Sequence, residues 1–321
     1  MPSMTNVLAV DAIGVTKRYG DLVAVDGISL QVAQGEVYGV LGPNGAGKTT
    51  FMRMLFGLIR PDAGTIRLFG RTWADGPRML DDVAGFVERP TFSPYLSGRA
   101  NLKGLARLDG GVAAGKIDEV LEVVDLADRA DDRVRGYSFG MVQRLGLAAA
   151  LLRDPLLLVI DEPANGLDPA GIRDMRALIK RLAARGLTVL LSSHDMAEVE
   201  DICDNVTIMR KGSVVFHGGI AELRARAPER GHRIVTDDDA RAARLARELG
   251  IAITSAEDGV VVTGAQADVD RYVRALVGAG VSLRSLETAE PPLEALFFML
   301  TESAPGIESV EAHEPTIGGA R

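Results

Sequence analysis

Apolar residues come in short blocks broken by Gly and Asp along residues 7–40, and these blocks predict strands at 7–13, 22–25 and 28–32. Residues 36–41 read as a short buried strand and residues 48–58 as a helix. A further strand is predicted at 66–69, followed by a loop-rich stretch dotted with acids to about residue 90. Residues 102–129 carry a mostly helical pattern, and Ser138 opens a helix of small residues that runs to Leu152. Residues 156–160 are apolar without interruption, which suits a central parallel strand buried on both faces. A helix at 170–184, a strand at 188–192, a helix at 196–203 and a closing hairpin at 206–216 follow. Strand and helix in alternation predict an α/β domain.

The pattern changes after about residue 224, where Arg and Gly accumulate around Pro228 and predict a linker at 226–233. Beyond it the order is strand (232–236), helix (240–249), strand (251–255), strand (260–263), helix (268–277) and strand (283–287). Ala242, Leu245, Ala246 and Leu249 share one face of the first helix; Val269, Tyr272, Val273 and Leu276 share one face of the second. A β-α-β-β-α-β order predicts a small α+β domain of the ferredoxin-like, split type. The expected division is a large domain at 1–225 with a helical subdomain at about 90–155, the small domain and a closing helix at 234–303, and a disordered acidic tail at 304–321.

Composition narrows the partners. The 321 residues carry a net charge of −8 and no long Lys/Arg run, which argues against nucleic acid, whose phosphates require clustered cations. The single cysteine, Cys203, excludes an internal disulfide and reads as a small buried hydrophobe in a reducing compartment. No apolar stretch approaches the roughly 18 residues of a spanning helix. The N-terminus lacks a basic region and Asp11 interrupts its apolar run, so no signal peptide is expected. The expectation is a cytoplasmic chain that any membrane role would tether through another polypeptide.

Chemistry concentrates in two motifs. Gly42-Pro43-Asn44-Gly45-Ala46-Gly47-Lys48-Thr49-Thr50 is a complete G-x-x-x-x-G-K-[ST] phosphate loop between a predicted strand and a predicted helix. Its glycines, with Asn44 and Thr50, would turn backbone N–H groups onto a polyphosphate at a helix N-terminus. Lys48 would reach the β- and γ-phosphates, and the Thr49 hydroxyl would join a Mg²⁺ shell. The second motif is the apolar run 156–160 followed by Asp161-Glu162. Both carboxylates fall at the C-terminal edge of a strand, where ligands bind open α/β sheets. Asp161 would hold Mg²⁺ and Glu162 would accept a proton from, or orient, the attacking water. Alone, such a pair also serves as a helix cap or a solvated turn.

Between these motifs, Tyr137-Ser138-Phe139-Gly140-Met141-Val142-Gln143-Arg144 resembles the signature sequence of ABC-type ATPases, and the likeness spans about residues 7–225. The resemblance implies a P-loop NTPase domain of ABC type that uses ATP and Mg²⁺, forms a head-to-tail homodimer, and pairs with a separate polytopic permease at the inner membrane face. It implies that Ser138 and Gly140 close over ATP held by the partner copy, though Ser138 also suits a plain helix N-cap. It further implies that Tyr19 stacks on adenine, that Asp168 in Asn165-Gly166-Leu167-Asp168 links the two sites, and that His194 contacts the γ-phosphate as a switch histidine.

The sequence departs from the family pattern in two motifs: Glu88 stands where a Mg²⁺-linked glutamine is usual, and Phe139 and Met141 of the signature where glycines or small polar residues are commoner. A carboxylate ligates Mg²⁺ but cannot donate a hydrogen bond. Both changes resemble drug- and bacteriocin-resistance-type subunits, as does the closing segment 289–298, whose Phe297, Phe298 and Leu300 are expected to be buried. In Thr91-Phe92-Ser93-Pro94-Tyr95-Leu96 the aromatics either meet a permease or pack inside the helical subdomain. The resulting expectation is an ATP-hydrolysing exporter subunit. Its alternatives are an ATPase driving a cytosolic assembly or repair machine, and a non-enzymatic nucleotide sensor.

Overall fold

The structure, a computed structural model, describes residues 8–108, 112–227, 231–255, 259–288 and 292–302. Two long strands, β1 (Leu8–Tyr19) and β2 (Leu22–Ala33), lead into β3 (Val37–Leu41), α1 (Lys48–Leu55) and β4 (Ala63–Leu68). Next come β5 (Val83–Phe86), α2 (Gly98–Leu108), α3 (Ile117–Val123) and α4 (Phe139–Leu151). The chain continues through β6 (Leu157–Asp161), α5 (Pro169–Ala183), β7 (Thr188–Ser193), α6 (Met196–Ile202), β8 (Asn205–Arg210), β9 (Ser213–Gly219) and α7 (Ile220–Arg226). The last part holds β10 (Gly231–Thr236), α8 (Asp239–Glu248), β11 (Ile253–Ser255), β12 (Val260–Thr263), α9 (Gln266–Gly278), β13 (Leu283–Thr288) and α10 (Pro292–Glu302).

The central sheet runs β5-β6-β7-β3-β8-β9, parallel throughout except for β9. Every residue of β3, β6 and β7 is buried: their apolar centres suit strands covered on both faces, and the polar residues at the ends of β6 and β7 (Asp161, Thr188, Ser192 and Ser193) are buried with them. One face packs with α1 and the antiparallel sheet β2-β1-β4, through Tyr38, Val40, Phe51, Met52, Val10 and Ile28. The other face receives helices α2 to α7 over Leu158, Ile160, Val189 and Leu191.

Four sequence expectations are corrected. The strands expected at 22–25 and 28–32 are one strand, because register shifts between β1 and β2 absorb the intervening Gly and Asp as bulges. The helix expected to reach residue 58 stops at Leu55, since Gly57 takes φ 65° and a Cβ there would lie 2.2 Å from the Trp73 indole. Phe298 is half-exposed at 36%, whereas Phe297 is buried and Leu300 partly so. The expected linker shrinks as well: Arg226 ends α7 and β10 starts at Gly231. The predicted tail at 304–321 lies outside the described residues.

The last four strands form a separate antiparallel sheet in the order β11-β12-β10-β13. Its own core of Ile234, Ala242, Ala246, Val262, Val269 and Tyr272 packs α8 and α9 onto one face. The chain then returns to the large core, where Leu293, Leu296 and Phe297 of α10 join the cluster that covers the central sheet. That return packs the end of the described chain against α6, α7, β8 and β9 of the large domain. We predict that Phe297→Ala costs about 3 kcal/mol or more in urea unfolding, whereas Phe298→Ala costs less than about 1 kcal/mol.

Candidate nucleotide site

Register brings the predicted site together. Leu41 pairs with Ser193 across β3 and β7, and Asp161 pairs with Ser192 across β6 and β7. The segments leaving these three strands, beginning at Gly42, Glu162 and His194, therefore emerge side by side at one edge of the sheet. The Gly42 N–H donates to the Ser193 carbonyl at 3.2 Å, closing the seam. Gly47 precedes α1 with φ 104°, and a Cβ there would sit 2.3 Å from the Ala24 carbonyl, so only glycine permits the loop's approach to β2.

Glu162 is the hub. Its backbone takes φ 51°, a left-handed conformation that is uncommon for glutamate, and its N–H donates to Ser192 Oγ at 3.0 Å. One carboxylate oxygen lies 3.1 Å from Lys48 Nζ, and the other lies 2.6 Å from His194 Nδ1. Lys48 also donates to the Gly42 carbonyl at 2.7 Å, so its ammonium stays at the mouth of the loop although the residue is only 4% exposed. Ser192 Oγ donates to the Asp161 carboxylate, which fixes that carboxylate directly behind Glu162.

A cavity of about 480 Å³ is lined by Tyr19, Leu22, Val23, Asn44, Gly45, Gly47, Lys48, Thr49, Thr50 and Glu162. Tyr19 is half-exposed at its far end, which leaves an aromatic face for a base; the glycine-rich cradle and helix N-terminus suit phosphates. An adjoining cavity of about 490 Å³ is lined by Asn44, Thr49, Glu88, Asp161, Glu162 and Asn165 among others. Thr49, Asp161 and Glu88 form a hard oxygen set that fits Mg²⁺, which takes one or two carboxylates and fills its shell with phosphate and water oxygens. No cluster of three or more His, Cys, Asp or Glu among the described residues would hold a metal by itself. Glu88 adopts φ 67° and ion-pairs with Arg53 of α1.

The remaining predicted residues lie apart from Lys48. Ser138 caps α4 by accepting from the Met141 N–H at 3.3 Å, and Asp168 caps α5 by accepting from the Gly171 N–H at 2.8 Å. Ser138, Gly140 and Asp168 line a third cavity, of about 610 Å³. Phe92 packs partly buried against the large core and also lines a groove of about 460 Å³, while Tyr95 is 74% exposed.

Sequence reasoning missed Lys211 and Arg89. Lys211 occupies the tight turn between β8 and β9 with φ 47° and lines the first cavity. A Lys-Gly pair between two apolar runs is a hairpin-turn signal that places the tip but says nothing of what it faces. The Arg89 guanidinium lies 4.4 Å from the Phe139 ring centroid, so that ring packs within its own chain.

Residues 25–165 match the family model described as ABC transporter. The bacitracin transport ATP-binding protein BcrA of Enterococcus faecalis is 36% identical over 294 residues, covering 91% of this chain and 96% of that protein. The daunorubicin resistance ATP-binding protein DrrA3 of Streptomyces coeruleorubidus is 37% identical over 315 residues, covering 91% and 96%. A solved ATP-binding subunit of an ABC transporter superposes with a TM-score of 0.61 at 28% identity, covering 68% of this chain and 92% of that one.

Close to the hub, Glu198 of α6 is 3% exposed, and burial pushes its carboxyl up from 4.5 to about 7. Between those values the folded chain keeps a proton that the unfolded chain has lost. This group's contribution to stability therefore falls as pH rises from 4.5 to about 7 and is level above. We predict that the urea midpoint drops less between pH 5 and pH 8 in Glu198→Gln than in the parent; equal drops would contradict it.

Proposed function

The chain belongs to the ABC transporter family, and on that premise we propose that it works as the ATP-hydrolysing subunit of an exporter, two copies closing head to tail around two Mg-ATP to drive a separate membrane permease. Relatives named for bacitracin transport, daunorubicin resistance and Nod factor export favour this reading over a cytosolic assembly or repair machine. They also support efflux of drug, antibiotic or lipid-like substrates. No helix among the described residues is long and apolar enough to cross a membrane, so the permease would hold the chain at the inner face.

The observation that carries the reading is the Glu162 carboxylate held between Lys48 and His194 beside a phosphate cradle. A triphosphate entering the loop competes with Glu162 for Lys48. Glu162, freed on that side, accepts a proton from the attacking water or orients it, and His194 fixes its other oxygen. Tyr19 stacks on adenine, and Gly42, Asn44, Gly45, Gly47, Thr49 and Thr50 line the phosphates. Thr49, Asp161 and Glu88 would hold Mg²⁺, which would supply positive charge to offset that of the phosphates. Ser138 and Gly140 present the N-terminus of α4 to ATP on the partner copy, and Asp168 lies at the same junction. The permease would dock in the apolar groove of about 460 Å³ lined by Phe86, Phe92, Leu105, Leu108 and Ala149.

Glu162→Gln is expected to lower ATP turnover by roughly 10²–10⁴-fold while ATP is still bound; near-normal turnover in the purified variant would remove Glu162 from the role. The same variant, loaded with MgATP and added to detergent-solubilised native membranes, should retain a polytopic membrane protein in near-equal amount. A soluble partner instead would overturn the transporter assembly. Leu108 is 84% exposed, so Leu108→Asp should spare folding and nucleotide binding yet weaken that capture. Capture at the parent level would clear the groove of the docking role.

A further inference from the structure

The turn that carries His194 is braced from beneath by a buried carboxylate. We propose that Glu198 is a positioning residue for ATP hydrolysis, acting through Ser193 to hold His194 against Glu162. The inference rests on the reading of Glu162 and His194 given above.

Ser193 is 2% exposed and is fixed on two sides. Its carbonyl accepts from the Gly42 N–H of the phosphate loop at 3.2 Å. Its hydroxyl donates to Glu198 Oε2 at 2.5 Å and accepts from the Asp195 N–H at 3.0 Å. Asp195 in turn caps α6, accepting from the N–H groups of Ala197 at 2.8 Å and Glu198 at 3.3 Å, and it ion-pairs with Arg176 of α5 at 3.3 Å. His194 therefore sits between two residues whose side chains are both tied down, although its own ring is half in solvent. The hydrogen bonds run in a closed ring: Ser193 to Glu198, Glu198 N–H to Asp195, Asp195 N–H to Ser193.

The carboxylate is costly where it lies. Its helix neighbours Met196, Val199 and Ile202 are apolar and buried, and Glu198 Oε1 finds no hydrogen-bond partner among the described residues. Burying a carboxylate with one oxygen unpartnered costs stability that a leucine would not. Burial also holds its proton to about pH 7, which records the same penalty. A packing role alone does not call for an acid here. The feature that an acid supplies is a strong, fixed acceptor for Ser193, one residue from His194. A shift of this turn by a fraction of an ångström alters the 2.6 Å contact between His194 Nδ1 and Glu162.

The test is a double-mutant cycle on ATP turnover in the full-length chain. Glu198→Ala is expected to lower kcat about tenfold and leave KM for ATP within about twofold. Added to His194→Ala, it should lower turnover by less than about twofold further, because the group it positions is gone. Glu198→Gln, which keeps an acceptor for Ser193, should stay within about threefold of the parent. Ser193→Ala breaks the same link without removing a buried charge and should match Glu198→Ala, which covers the case of a Glu198→Ala chain that does not fold. Equal fold losses in the parent and His194→Ala backgrounds would overturn the positioning role alone. Full turnover in His194→Ala by itself would overturn the role of His194 and the present proposal with it.

Discussion

The ion pair between Lys48 and Glu162 is the contact on which the rest of the site depends. Lysine is a compact point charge with three donors, and here it is shared between the Gly42 carbonyl and a carboxylate at 3.1 Å. A buried pair of this kind gains little net stability, because desolvation of two charges offsets their attraction. Its value is that either partner can be exchanged. A phosphate presents charge of the same sign as the carboxylate to Lys48, beside the glycine-rich loop and the N-terminus of α1. The proposed reaction begins with that exchange, and the fold's contribution is to keep both exchange partners at one sheet edge.

Three strands make this possible. β3, β6 and β7 are fully buried, so their register is fixed by packing on both faces and a one-residue slip would misplace whole rows of side chains. Each delivers one chemical group at its C-terminal end: the phosphate loop, the Asp161-Glu162 pair and His194. The hydroxyls of Ser192 and Ser193 stitch the strand ends to Asp161 and Glu198. The cavity lined by Ser138, Gly140 and Asp168 is separate from the one lined by Lys48, which suits a site completed between two copies. Phe139, unusual for the signature, packs on Arg89 next to Glu88, so both departures from the family pattern meet at one place.

Much of this was legible in the sequence because the decisive signals are local. The run 156–160 announced the buried strand β6, which starts one residue later because Leu156 is exposed, and the glycine spacing of 42–47 announced a phosphate loop whose lysine begins α1. The split β-α-β-β-α-β order of the last domain was readable from periodicity, and its strands pair in the antiparallel order that such a unit adopts. What escaped depends on long-range approach. Nothing near Gly57 in sequence shows that Trp73 would close over it and end α1. Phe297 and Phe298 look alike in a string, yet helical rotation buries one and leaves the other half in solvent. Nothing near Glu198 in sequence marks it as buried; only the packing of α6 shows that it is enclosed and bonded to Ser193, the residue before His194.

The most direct measurement of the central claim is a crystal structure of the chain with Mg²⁺ and a non-hydrolysable ATP analogue. The account predicts that Lys48 Nζ leaves Glu162 for the β- and γ-phosphates while Glu162 keeps His194 and faces the γ-phosphate. A structure in which Lys48 remains paired with Glu162 and the analogue is bound by other groups would contradict it.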